Sequence, residues 1–147
     1  MQLDSHRQRA LELLDEATDE ARRIDGDDPG RTQALIGVAL QLLTADRVRA
    51  WEMMSEAVKA ANTTEKFTGD DKEINLQLLS TRAGIRVSSI AAADVSLARV
   101  LRSLAQDDLE RSVELAKGFK YDATRANSTL AIARAILEKP PAKTAKN

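Results

Sequence analysis

The chain has 147 residues, a formal charge of −1, 31% charged and 43% hydrophobic residues, and no cysteine. That length suits one domain able to bury roughly 70% of the surface its unfolded form exposes, and the near-zero charge creates no global field of the kind that grips phosphate backbones. Without cysteine, disulfides, thiolate nucleophiles and sulfur-ligated zinc or iron–sulfur sites are excluded, so the fold must rest on packing.

From the N-terminus, residues 3 to 24 place Leu11, Leu14, Ala17, Ala21 and Ile24 on one stripe at spacings of three and four, which predicts a helix ended by Gly26. Asp28 then offers an N-cap oxygen and Pro29 suits a first helical position. Leu35, Val38, Ala39, Leu42 and Leu43 follow at helical spacing, so a second helix is predicted over 28–44. After the short connection Thr44-Ala45-Asp46, a third helix over 46–61 carries Trp51, Met54, Val58 and Ala61 along one side. Such brief connections make antiparallel neighbours.

Residues 63 to 73 break this pattern with polar groups and one glycine. Beyond them Ile74, Leu76 and Leu78 alternate with Asn75, Gln77 and Leu79, and Ile85 and Val87 alternate after Gly84, which predicts a β-hairpin. A fourth long helix is the alternative, because Leu78-Leu79 and the alanines at 91 to 93 also suit one. Either way residues 63–95 form an insertion. Ser96 caps a helix over 96–106 with Leu97, Val100, Leu101 and Leu104 on one face. Asp107-Asp108-Leu109-Glu110 then opens another over 108–118, with Leu109, Val113 and Ala116 inward. Asp122 is expected to cap a last helix over 122–138 that buries Ile132, Ala133, Ile136 and Leu137 before Pro140-Pro141 stops it. The domain is thus 1–139, with 140–147 a flexible tail.

Overlaying the segments reveals two alternating helix types. The first carries Arg-Ala/Ser-apolar-Glu-apolar at residues 9–13, 49–53 and 111–115. The second begins Asp-x-x-Arg at Asp28 and at Asp122 and repeats its apolar spacing 94 residues later. Taken as pairs, 3–24 with 28–44, 46–61 with 96–106 and 108–118 with 122–138 make three units, the minimum for a self-supporting stack. The predicted fold is all-α, an α-α superhelix of about three antiparallel helix pairs interrupted by the hairpin-like insertion. This alternation resembles the tetratricopeptide-like branch of α-solenoids, over about 110 of the 147 residues. The resemblance is architectural, since the Trp-Leu-Gly-Tyr pattern of that family's first helix is missing, and it implies a curved scaffold that binds partner proteins.

Within the repeated phrase, arginine and glutamate three apart support the helix by about 0.2 to 0.5 kcal/mol; the functional alternative is a ladder of Arg9, Arg49 and Arg111 gripping an acidic partner. Arg31 and Arg125 oppose the helix dipole in the first turn and call for a compensating carboxylate on an adjacent helix, or an external anion. Trp51 reads as core, its loss costing roughly 3 to 5 kcal/mol if buried, or else as a contact residue. Arg31, Arg125 and Trp51 are therefore the candidate partner-binding residues. Residues 1 to 30 hold nine acidic groups against four basic, and residues 109 to 147 hold four acidic against eight basic. This asymmetry reads as a solvated face with a lysine tail, or as a guide for end-to-end stacking of copies.

Catalysis has little to stand on. The single histidine, His6, has no metal-ligating or nucleophilic companion at useful spacing, and no Gly-rich phosphate loop occurs. No enzyme activity, cofactor or metal is expected. The expectation is a non-enzymatic protein-interaction module or scaffold, with a homodimer through the hairpin edge as one form. The alternatives are a structural spacer within a larger repeat protein and weak nucleic-acid binding through the basic C-terminal third, for which no aromatic stacking platform exists. The N-terminus has no basic segment followed by an apolar run and no apolar stretch spans a membrane, so the chain is expected to be soluble and cytoplasmic.

Overall fold

The computed structural model describes residues 2–69 and 96–138. In chain order the helices are α1 (Gln2–Arg23), α2 (Pro29–Ala45), α3 (Arg47–Ala61), α4 (Leu97–Asp107), α5 (Leu109–Lys117) and α6 (Asp122–Leu137). Their starts follow from local chemistry. Asp28 accepts from the Gly30 amide with Pro29 in the first turn, and Ser96 accepts from the Arg99 amide, each satisfying a donor the helix leaves open. Asp46 is both the end of α2 and the cap of α3, and Asp108 stands in the same way between α4 and α5. Each has extended backbone (φ −163°, ψ 95° and φ −151°, ψ 93°), and each carboxylate accepts the amide of an arginine three residues on, Arg49 or Arg111. One extended residue turns the chain sharply, so each corner folds two helices against each other.

Two start and stop expectations are corrected. Asp122 does not cap α6; it is the first helical residue and pairs with Arg125, while Tyr121 occupies the cap without a side-chain hydrogen bond. Nor does Gly26, expected to end the first helix, adopt the left-handed conformation by which glycine commonly terminates one. Among the described glycines only Gly69 has positive φ (80°), and a Cβ there would lie 2.8 Å from Leu97 Cδ2, so both backbone and packing demand glycine.

Regular structure among the described residues is entirely helical, with no strand, so the fold is all-α and the expected β-hairpin-like insertion is corrected. Residues 63–69, where that insertion is expected to open, turn into the core instead. Thr64 and Phe67 are buried, Thr124 Oγ1 donates to the Phe67 carbonyl at 2.9 Å, and Asn127 Nδ2 donates to the Thr68 carbonyl at 2.8 Å. These carbonyls thus accept from α6 side chains. The alternating residues 74–87 lie outside the described residues, as does the expected tail at 140–147.

The core is aliphatic and closely approached: Leu35, Ile36 and Leu42 of α2, Met54 and Ala57 of α3, and Val100, Leu101 and Leu104 of α4. α2 packs against α1, α3 and α4; α4 packs against α2, α5 and α6. The expected pairing of α3 with α4 is thereby corrected, because the Asp46 corner folds α3 back onto α2 and leaves α6 as the largest neighbour of α4. Packing also links α3 to α5 and α2 to α4 to α6, so the helices stand in two rows, α1, α3, α5 and α2, α4, α6. Arg47 ties the second row together, donating to the Leu43 carbonyl of α2 at 3.0 Å, to Ser103 Oγ of α4 at 3.0 Å, and to Asp107.

Burial follows the predicted stripes on α2, α3 and α4 and departs from them on the outer helices. On α1 the buried line runs through Thr18 and Ala21, with Ala17 exposed; on α5 Ala116 and Ser112 are buried and Leu109 is exposed. On α6 the core side is Thr124, Ser128, Ala131, Ile132 and Ala135, while Ala133, Ile136 and Leu137 face solvent. The buried Ser128 hydroxyl is satisfied by its own helix, donating to the Thr124 carbonyl at 2.8 Å.

Candidate functional site

α1 and α3 meet through long side chains rather than close backbones, and this leaves a groove of about 450 Å³ between them. Its walls carry four carboxylates, Asp15 and Asp19 from α1 with Glu52 and Glu56 from α3, and two guanidinium groups, Arg22 and Arg49. Thr18 and Met53 complete the lining. Helical spacing explains the convergence: Asp15, Asp19 and Arg22 recur at four and three residues on α1, as do Arg49, Met53 and Glu56 on α3.

Both cations are already engaged. Arg49 Nη2 pairs with Asp15, and Arg22 makes a two-pronged contact with Glu56, both donor–acceptor distances being 2.7 Å, with Asp19 at 3.5 Å. The Arg22 hydrogen bond holds the Glu56 carboxyl below its ordinary range, against partial desolvation that acts the other way; Arg31 and Lys59 add smaller pulls in the same downward direction. The same pair raises Arg22. Among the described residues Glu52 has no ion-pair partner, so the groove presents surplus negative charge.

The residues singled out from sequence are not brought together here. Trp51 is in the core, 6% exposed, and Arg111 of α5 lies over its ring at 4.4 Å from the centroid. The three arginines of the repeated phrase therefore serve different neighbours: Arg9 pairs with Glu12 of its own helix, Arg49 with Asp15 of α1, and Arg111 with Trp51 of α3. Arg49 and Arg111 reach back along the same row, which binds that row internally.

Arg31 and Arg125 occupy unlike settings despite matching sequence. Arg125 donates to the carbonyls of Phe119 and Lys120, at 2.9 and 3.1 Å, and to Asp122, holding the turn before its own helix. The expected carboxylate on an adjacent helix is therefore corrected for Arg125. Arg31 lies against the Gly26 turn, with Nη1 3.7 Å from where a Cβ would stand. Its buried Nε lacks a protein partner, and its charge acts on Glu56 of α3. The groove itself was not foreseen in the sequence; the signal available was the acidic excess of the first 30 residues.

His6 is exposed on the first turns of α1, away from the groove lining. Among the described residues no group of His, Asp and Glu side chains converges as a metal site, and no helix is long and apolar enough to cross a membrane. No protein-family model, curated protein or solved structure matches the chain.

Proposed function

We propose that this protein is a non-enzymatic interaction module, a helical scaffold that takes a basic segment of a partner protein into the α1–α3 groove. The carrying observation is the surplus of carboxylates there, with both guanidinium groups consumed by internal pairs. A cationic side chain entering the groove meets Glu52 and the free edges of Asp15 and Asp19, and complementary charge of this kind sets partner selection and encounter rate. Against a catalytic role, Glu56 is held in its charged form and is poorly suited to donate a proton near neutrality. The two-row arrangement of helices and the recurring Asp corner support the scaffold reading.

The test is an amide chemical-shift titration with a lysine- and arginine-rich peptide. Shifts confined to α1 and α3, weakened by salt and roughly tenfold weaker in Asp19→Lys/Glu52→Lys, support the reading. Unchanged affinity in that variant, or shifts spread over the molecule, overturns it.

A further inference from the structure

α6 is apolar on both sides. Opposite its core face run Ala123, Ala126, Leu130, Ala133 and Leu137, spaced alternately three and four apart and all exposed, Leu130 by 57% and Leu137 by 84%. Alternating three-four spacing is that of a helix seam which seats a second helix.

The other end of the molecule has a matching feature. On α1, Leu3, His6, Ala10, Leu13 and Ala17 follow the same spacing and are all exposed, Leu3 by 82% and Leu13 by 48%. This stripe is on a different face of α1 from the groove-lining Asp15, Thr18, Asp19 and Arg22. Taken in opposite directions, Ala10-Leu13-Ala17 and Ala133-Leu130-Ala126 have identical spacing, so an antiparallel pair would stack alanine on alanine and leucine on leucine. Facing alanines allow close backbone approach. Charge agrees with this arrangement: the first 30 residues carry the acidic excess and residues 109 to 147 the basic one. At the seams, Glu16 and Glu20, which pair with Arg9 and Arg23 of their own helix, flank the α1 stripe, while Arg134 beside the α6 stripe has no ion-pair partner among the described residues.

We propose that copies of this chain associate end to end, the α1 stripe of one copy seating on the α6 stripe of the next. The two surfaces differ, so the contact is heterologous and leaves a free stripe at each end of any open oligomer. This proposal is independent of the groove and of what the groove binds.

Sedimentation and light scattering of the full chain over a concentration series test it, using Leu13→Glu and Leu130→Glu. Both positions are exposed, and circular dichroism checks that each variant stays helical. The parent chain should gain mass with concentration beyond a dimer, and each variant alone should remain a monomer. Mixed together, the variants should form a dimer and stop there, because one retains only its α6 stripe and the other only its α1 stripe. Self-association of Leu13→Glu with loss only in Leu130→Glu would mean an α6–α6 contact and would overturn the proposal. A parent chain monomeric at the highest accessible concentration would overturn it too; a lowered unfolding midpoint in Leu130→Glu would then assign the α6 stripe to residues 70–95 of the same chain.

Discussion

α2 and α6 share an Asp-x-x-Arg sequence at their starts and the apolar spacing that follows it, yet their neighbours divide them. Ala39, Leu42 and Leu43 are buried because α1, α3 and α4 surround α2; Ala133, Ile136 and Leu137, at matching places in α6, face solvent because α4 and α5 cover only one side. Local sequence makes the helix, and position in the stack decides which residues it buries. The Asp46 and Asp108 corners teach the complementary lesson. They lie 62 residues apart, and the same shift aligns Leu35 with Leu97, Val38 with Val100, Leu42 with Leu104 and Ala50 with Ser112, all buried. There, both sequence and surroundings agree.

The largest expected effect separates α2 from α6. Leu42→Ala should cost about 3–5 kcal/mol in denaturant unfolding, the usual range for a closed core site, while Leu137→Ala in dilute solution should stay within about 0.5 kcal/mol. Comparable losses would remove the distinction between an enclosed helix and a one-sided one. Next come the corners: Asp46→Ala and Asp108→Ala should each cost about 1 kcal/mol, because each leaves a helix-start amide without its acceptor. Strongly unequal losses would break the equivalence of the corners.

Ser112 supplies a change of opposite sign. Its hydroxyl is buried without a protein partner, while the aligned residue on α3 is the fully buried Ala50. Ser112→Ala should therefore stabilise the protein by up to about 1 kcal/mol, measured as a raised unfolding midpoint. A destabilisation would show that the hydroxyl has a partner.

The helix positions were legible in the sequence because their causes are local. Asp28-Pro29, Asp46, Ser96 and Asp108 sit where the chain needs amide acceptors, and the stripes of α2, α3 and α4 are one-sided enough to point inward. α6 was not legible in this way: Ala133, Ile136 and Leu137 compete with Ala131, Ile132 and Ala135 for the core, and periodicity cannot choose between two apolar faces. The groove was harder still. Arg22 and Glu56 lie 34 residues apart, and Asp15 and Asp19 read as solvated surface until α3 is folded beside them. The 94-residue correspondence drew attention to Arg31 and Arg125, whose matching sequence positions lead into different turns.

The smallest effect belongs to that groove. The Glu56 carboxyl is held below its unfolded value by Arg22, so the pair stabilises the fold above the ordinary glutamate range, and the contribution is lost as pH falls through the folded value. Because Arg22 is half exposed, the contribution should be under about 1 kcal/mol and decrease with salt. Glu56→Gln should flatten the acid limb of the stability–pH curve by that amount, and an unaltered limb would show that the pair does not bear on folding.

The absence of cysteine from the chain permits a direct test of the claim that position in the stack, rather than local sequence, sets burial. Single variants Leu42→Cys and Ile136→Cys are compared for thiol labelling rate in dilute native protein. The account predicts that the first is strongly protected, matching the 0% exposure of Leu42, and that the second labels near the rate of an unstructured thiol, in keeping with the 51% exposure of Ile136. Equal rates at the two positions would contradict it.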